Sequence, residues 1–353
     1  MEISPHLLYA LMFAVAALLT TLGLVATLVN IDRSRRDRGI ARRVAAMRPQ
    51  VLDALDGGPN PNLEGVRRGR ETLTFLALGL LPVLRGGERE RLSRLLEECG
   101  LVNAALLDLH GRSAVRRARA ADLLGRASVQ RSAPELIRLL GDRDGDVRQT
   151  AARALGLIGN SAAVPALLRT MEEGTVPLNT STMAILRMDR GARAPLIDGL
   201  RAESELVRAM SAELLGRLGA VSALPELSDV VTSDPSLEVR IRAVRALGLI
   251  GAPGSVDALA TAMGSRQPVA LRAVATRALG RVGGPRTITL LRGALDAPEH
   301  VVAMNAAQAL AALGDEGEEV LNRLVAEGTT RGAGYAREGL SQAVLSRSRR
   351  GRA

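Results

Sequence analysis

A repeat of about 31 residues constrains the fold of this chain more than any other feature of its sequence. Residues 147–159 read VRQTAARALGLIG, and the pattern of an apolar residue with Arg, then Leu-Gly, then Gly returns at 207–219, 239–251 and 271–283. With weaker copies included, the equivalent positions are 125, 156, 187, 216, 248, 280 and 311, spaced 29 to 32 residues apart. A period this regular over seven units predicts a solenoid, in which each unit packs against its neighbours.

Each unit has the pattern of two helices. Val147, Ala151, Leu155 and Ile158 share one face of a helix, and Gly159 occupies the position where a helix end takes a left-handed residue. Pro165 then suits the first turn of a second helix, since no amide donor is needed there. The chain has only two Phe, two Tyr and no Trp, which disfavours an aromatic-rich β fold. We therefore expect an all-α fold.

Residues 144–167 carry the string D-x-x-V-R-x-x-A-A-x-A-L-G-x-I-G followed by V-P-A-L. This string resembles the short bacterial HEAT-like repeat, the type also found in phycobilisome-lyase proteins, over about residues 112–314. The resemblance implies an α-solenoid of HEAT-like helix pairs that binds another protein. An N-terminal apolar segment followed by a basic stalk also resembles bacterial membrane HEAT proteins. That second resemblance implies a partner among membrane glycosyltransferases or other envelope machinery.

The N-terminal segment from Ile3 to Ile31 contains no Asp, Glu, Lys or Arg and is long enough, as a helix, to cross a bilayer core of roughly 30 Å. Basic residues follow it and none precedes it, which disfavours a cleaved signal peptide and predicts the N-terminus outside. We therefore expect a single-pass protein of the bacterial inner membrane with a cytoplasmic repeat domain. The Arg residues expected at anionic lipid headgroups are Arg33, Arg35, Arg36, Arg38, Arg42 and Arg43.

The composition predicts five segments along the chain. They are a single transmembrane helix at 3–31, a basic stalk and linker at 32–62, a helical segment packing on the solenoid at 63–110, the solenoid at 111–345, and a basic disordered tail at 346–353. The pattern does not decide whether 63–110 forms a true repeat. Small residues at four-residue spacing within 3–31 suit dimerisation through the transmembrane helix, although such spacing is common in an Ala-rich chain.

No motif for catalysis, a metal or a cofactor is present in the sequence. His6, His110 and His300 are scattered, Cys99 is the only cysteine, and neither H-E-x-x-H nor C-x-x-C occurs. All 47 basic residues are Arg, so a phosphate-binding loop that ends in Gly-Lys is excluded. We expect a binding protein rather than an enzyme, with no cofactor.

The expected function is a membrane-tethered scaffold that binds a protein partner on the outward row of the first helices, which lines the concave surface in HEAT-like solenoids. Counting from the first apolar residue of each helix, positions +2 and +6 face away from the core and +3 lies on the flank. This row comprises Met210, Glu213, Ile241, Arg242, Arg245, Val274, Arg277, Met304, Asn305 and Gln308. An alternative is that the Arg stems merely cover Met and Val in the groove.

Nucleic-acid or anionic-lipid binding through the Arg-rich surface is the second function to consider. Single-stranded nucleic acid is disfavoured because stacking residues are nearly absent. The repeated Arg148, Arg208, Arg240 and Arg272 have a structural interpretation instead. They lie at the edge of the buried face, from which they can reach carbonyls or acids at the turn of the next repeat.

Overall fold

A computed structural model describes residues 39, 41–59, 66–328 and 331–350. The described chain divides into two compact units, with the boundary between Ala105 and Leu106. The first unit contains α1 (residues 41–55), α2 (Val66–Leu80), α3 (Gly86–Glu98) and most of α4 (Leu101–Asp108). Leu73 of α2 and Leu92 of α3 are fully buried, so both helices contribute to the core of this unit.

The second unit is a stack of helix pairs. The first helices of the pairs are α5 (Ala114–Arg126), α7 (Gly145–Ile158), α9 (Leu178–Arg187), α11 (Glu205–Arg217), α13 (Leu237–Ile250), α15 (Val269–Val282) and α17 (His300–Ala312). The second helices are α6 (Ala133–Leu139), α8 (Val164–Glu173), α10 (Arg193–Gly199), α12 (Leu224–Ser233), α14 (Val256–Ala262), α16 (Pro285–Ala294) and α18 (Asp315–Glu327). A last helix, α19 (Arg331–Arg350), packs against α17 and α18. The predicted all-α solenoid of helix pairs is confirmed.

Local signals in the sequence set the helix ends. The Asp144 carboxylate accepts hydrogen bonds from the backbone N–H groups of Asp146 and Val147 at 3.0 and 3.1 Å, which caps the start of α7. Gly159 ends α7 in the left-handed conformation with φ 75°. Pro165 lies in the first turn of α8, as predicted.

Glycine sets the spacing between neighbouring first helices. A Cβ atom at Gly216 would lie 2.5 Å from the Cα of Ala246, and one at Gly248 would lie 2.7 Å from the Cβ of Ala278. The repeated Leu-Gly pair therefore marks a backbone contact between helices. Contact between successive first helices is more extensive than between successive second helices. The first helices thus form the tighter layer.

The third repeat, which consists of α9 and α10, interrupts the layer of first helices. Ala184 of α9 contacts Gly156 of α7, so the position equivalent to glycine in α9 is Leu186. The repeat pattern in the sequence places this glycine-equivalent position at 187, one residue too late. With a Leu where glycine is needed, α9 contacts α11 far less than other neighbouring first helices contact each other.

No helix within residues 39–59, 66–328 and 331–350 is long and apolar enough to cross a bilayer. On this finding, the predicted location of a single-pass protein in the bacterial inner membrane, with its N-terminus outside, is wrong. The apolar segment 3–31 and Arg33, Arg35, Arg36 and Arg38 lie outside the described residues, whereas Arg42 and Arg43 are exposed on α1. The predicted disordered tail from 346 also needs correction, because α19 continues to Arg350.

Candidate interaction surface

The repeated Arg residues join successive repeats through their turns. Arg148 donates from Nη1 to the Asp142 carbonyl before its own helix at 2.8 Å, and from Nε to the Thr175 carbonyl in the next turn at 2.8 Å. Arg208 likewise donates to the Glu203 carbonyl at 2.8 Å and to the Asp234 carboxylate at 2.8 and 3.3 Å. This arrangement confirms the structural interpretation of these residues.

The other two members follow the same pattern. Arg240 donates to the Val231 carbonyl at 2.8 Å and to Gln267 Oε1 at 2.6 Å. Arg272 lies 2.7 Å from the Glu299 carboxylate and donates to the Met263 carbonyl at 3.3 Å. These guanidinium groups are engaged with the protein itself, so they form an internal ladder rather than a binding site.

Arg117 is a fifth member of this ladder that the sequence reading missed. It donates to both carboxylate oxygens of Asp142 at 2.7 Å and to the Gly111 carbonyl at 2.9 Å. In the other repeats the ladder Arg lies eight residues before the repeated glycine, and Arg117 lies eight before Gly125. The pair Val115-Arg116 resembles the repeated Val-Arg pair but lies one residue early, so the sequence pattern does not identify Arg117 as the ladder residue.

The Arg117 contact affects the titration of Asp142. Burial acts to raise the pKa of this carboxyl. The hydrogen bonds from Arg117 and from the backbone N–H of Asp144 outweigh burial and hold the pKa below its ordinary value. The carboxylate therefore stays ionised in the folded chain well into the acidic range.

The predicted partner row is only partly exposed. Arg245, Arg277 and Gln308 are exposed, and a second group is half-buried, namely Glu213, Arg242, Val274 and Met304. Met210, Ile241 and Asn305 are buried at 4%, 9% and 5% exposure, so their assignment to an open surface is wrong.

The buried members are covered by neighbouring first helices. The Nη1 atom of Arg242 lies 3.9 Å from Met210 Sδ, which supports the alternative that Arg covers an apolar residue at this position. Asn305 donates to the Ala273 carbonyl at 2.8 Å and accepts from Arg277 at 3.4 Å. Ile241, at +2, points toward the side of α13 where Gly248, at +9, contacts α15. Each first helix is thus covered on three sides.

The remaining open side includes positions +6 and +10, which lie about 240° and 280° around the helix from the first apolar residue. We call this surface from α11 to α17 the inner strip. It comprises Glu213, Arg217, Arg245, Leu249, Arg277, Arg281, Gln308 and Ala312. The sequence reading missed the +10 residues, although they lie one turn beyond the +6 residues on the same side of the helix.

The charge on the inner strip is mostly positive. Arg242, beside the strip, forms ion pairs with both Glu213 and Glu238, the latter at 2.7 Å. In the described part of the chain, neither Arg245 nor Arg281 forms an ion pair, and Arg277 bonds only the neutral Asn305. The strip also includes Leu249, whose side chain is 49% exposed.

Within the part of the chain that the structure describes, His110, His300 and Cys99 do not form a shared catalytic or metal site. Among the described residues, no group of three His, Cys, Asp or Glu could hold a metal ion. His300 Nδ1 lies 3.2 Å from the Tyr335 hydroxyl, and His110 Nε2 lies 3.2 Å from the Glu135 carboxylate. Cys99 caps α3, where burial and then the charge of Glu98 raise the pKa of its thiol.

Helix pairs, glycine contacts between first helices and a ladder of Arg residues define the class of α-solenoid repeat proteins. The family model described as HEAT repeats matches residues 103–185, 193–270 and 262–343, more than half of the chain. The chain therefore belongs to the HEAT repeat family. No curated protein matches the sequence. HEAT solenoids generally bind protein partners.

Solved structures show the same fold. A mutant of Kap121p has a TM-score of 0.51 at 13% identity, and the match covers 75% of this chain and 34% of that chain. Human deoxyhypusine hydroxylase in complex with glycerol matches at 19% identity with a TM-score of 0.32, covering 78% of this chain and 98% of that chain. A designed armadillo repeat protein matches at 20% identity with a TM-score of 0.30, covering 60% and 100%. The HEAT-repeat fold is typically non-catalytic.

Proposed function

We propose that this protein is a non-catalytic scaffold that binds a protein partner across the inner strip. The observation that carries the proposal is a row of residues on the tighter helix layer that are mostly exposed, several of which form no ion pair in the described chain. Arg245 and Arg281 make none of the ion pairs that stabilise the repeats in the described chain, and the apolar side chain of Leu249 is exposed. An exposed apolar residue surrounded by Arg is typical of a protein interface.

Three narrower partner predictions stay predictions. An envelope glycosyltransferase as partner rests on resemblance alone. Anionic-lipid binding by the basic stalk concerns Arg42, Arg43 and four residues outside the described ranges, and dimerisation concerns 3–31. None of these contributes to the argument for the inner strip.

Site-specific photocrosslinking in the source cells tests this function. A photoreactive phenylalanine analogue replaces Leu249 or Gln308 on the inner strip, or Thr289, which is exposed on the second helix α16. We expect a discrete protein adduct from Leu249 and Gln308 and none from Thr289. Adducts only from Thr289, or the same adducts from all three positions, would show that the partner does not use the inner strip.

A further inference from the structure

The inner strip has a surplus of positive charge that the second helices do not share. Arg217, Arg245, Arg277 and Arg281 are all exposed, while Glu213, the only acid of the strip, pairs with Arg242. Arg217 is also near Glu213, but at 3.8 Å and in exposed surroundings, where such a pair contributes little. The second helix α18 carries four acids in its first turns instead. The strip therefore favours an anionic partner segment.

The spacing of the strip suits an extended peptide. The glycine contacts hold neighbouring first helices at the short end of the usual interaxial range of about 8–10 Å. Arg245 and Arg277 occupy the same position on successive helices, so their separation follows this spacing. An extended chain in the polyproline II conformation has three residues per turn and advances about 3.1 Å per residue, so every third side chain returns to the same side about 9 Å further along. Acidic residues three apart would then meet successive Arg residues.

Leu249 indicates that the partner is not a uniform polyanion. It lies at +10 on α13, and the residues at +10 on the two neighbouring helices are Arg217 and Arg281. An apolar side chain of a peptide can bury Leu249 while flanking carboxylates meet the two Arg residues. Nucleic acid would gain nothing at Leu249 and would find no aromatic ring on the strip for base stacking.

We propose that the inner strip binds an acidic peptide segment of a partner protein, extended across α11 to α17, with a carboxylate at every third residue and an apolar side chain over Leu249. This inference rests on the proposed function, since it gives the chemistry of a partner for the same surface. The guanidinium groups of Arg245, Arg277 and Arg281 pair with the carboxylates.

Fluorescence anisotropy with the full chain tests the proposal. The probe is a labelled twelve-residue peptide with Asp at every third position and one central Leu, and the matched peptide carries Asn for each Asp. We expect the Asp peptide to bind at least about tenfold more tightly, with an affinity that falls as salt increases. Arg245→Glu with Arg277→Glu should weaken binding of the Asp peptide by at least about tenfold.

The matched control reverses two exposed Arg residues of the second helices, Arg169→Glu with Arg292→Glu, and should leave the affinity unchanged. Thermal melting of both double variants checks that they fold. Equal binding of the Asp and Asn peptides, or no loss in the inner-strip variant, would overturn the proposal. Tighter binding of an oligothymidylate of equal charge would also overturn it, in favour of a general polyanion site. A discrete crosslink at Leu249 without Asp-peptide binding would refute only the partner chemistry and leave the proposed function standing.

Discussion

Arg208 shows what a single residue type contributes to this solenoid. Its guanidinium group bonds two carbonyls of the turn before its own helix and the carboxylate of Asp234 in the next turn. Only a planar group with several fixed donors can satisfy two turns at once, which a Lys ammonium would not do in this geometry. The ladder therefore makes each turn depend on its neighbour.

At this scale we expect the Arg117–Asp142 pair to give the stability a specific pH dependence. Because the pKa of Asp142 is lower in the folded chain, the pair stabilises the fold above the ordinary pKa of 3.8 and loses this contribution as pH falls through the folded value. Asp142→Asn should therefore lower the melting temperature at pH 7, and the deficit should shrink below about pH 4.

Thermal melts of parent and variant between pH 2 and 8, at roughly half-unit steps, measure this difference across the carboxyl range. Asp229→Asn, at an exposed acid on α12, is the control and should change the melting temperature little. A deficit for Asp142→Asn that is the same at every pH would contradict the role of its charge.

At the scale of the helix, each first helix packs against three neighbours rather than one. The second helix of the preceding pair, α12, packs extensively against α13, whereas α14 of its own pair contacts it little. The adjacent first helices cover the two flanks, where Gly248 contacts Ala278 on one side and Ala246 contacts Gly216 on the other. Only a narrow strip stays open, which explains why the exposed residues are so few.

We expect the glycine contacts to be sensitive to a single methyl group. Gly248→Ala would place a Cβ atom 2.7 Å from that of Ala278 and should destabilise the fold by about 1–3 kcal/mol through overpacking. Gly293→Ala on α16, where a Cβ atom meets nothing within 4 Å, should instead stabilise slightly, by up to about 1 kcal/mol, because Ala favours helix.

Chemical denaturation of the full chain compares these variants. Adding Ala278→Gly to Gly248→Ala removes the opposing methyl group and should recover part of the loss, since the two sites are in contact. Equal effects of Gly248→Ala and Gly293→Ala would show that helix propensity alone determines the stability at these sites.

Much of this architecture could be predicted from the sequence because the core face repeats with helical periodicity. Val147, Ala151 and Leu155 identify that face directly, and the ladder follows from the Arg at a fixed position. The flanks could not be predicted, because a residue such as Met210 or Ile241 has the same sequence pattern whether a neighbouring helix covers it or not. Only the helix spacing, which Gly216 and Gly248 set, decides between the two.

At the scale of the whole stack, the third repeat lacks both the ladder Arg and the repeated glycine that join the neighbouring repeats. Leu178 occupies the position of the ladder Arg, and Leu186 occupies the position of the glycine. The helix α8 of the second repeat contacts α11 of the fourth repeat across the third. Since solenoid stability is the sum of repeats and their interfaces, we expect the sparse contact between α9 and α11 to make this repeat less stable than its neighbours.

We therefore expect α9 and α10 to open more often than α13 and α14. Native-state hydrogen exchange of the full chain should show amide exchange in residues 178–199 at least about tenfold faster than in residues 237–262. Uniform protection across the two ranges would show that the contacts of α8 with α11 compensate for the missing Arg and glycine.

The inner strip has no titrating base, which allows its partner to be identified from a pH profile. Guanidinium groups stay protonated at every pH that the fold survives, and the chain contains no Lys. Any change in capture between about pH 3 and 8 that persists in the variant Glu213→Gln, which removes the one carboxylate of the strip, then reports the anionic groups of the bound molecule. Release near pH 4 would indicate carboxylates, whereas a step near pH 6 would indicate phosphate monoesters.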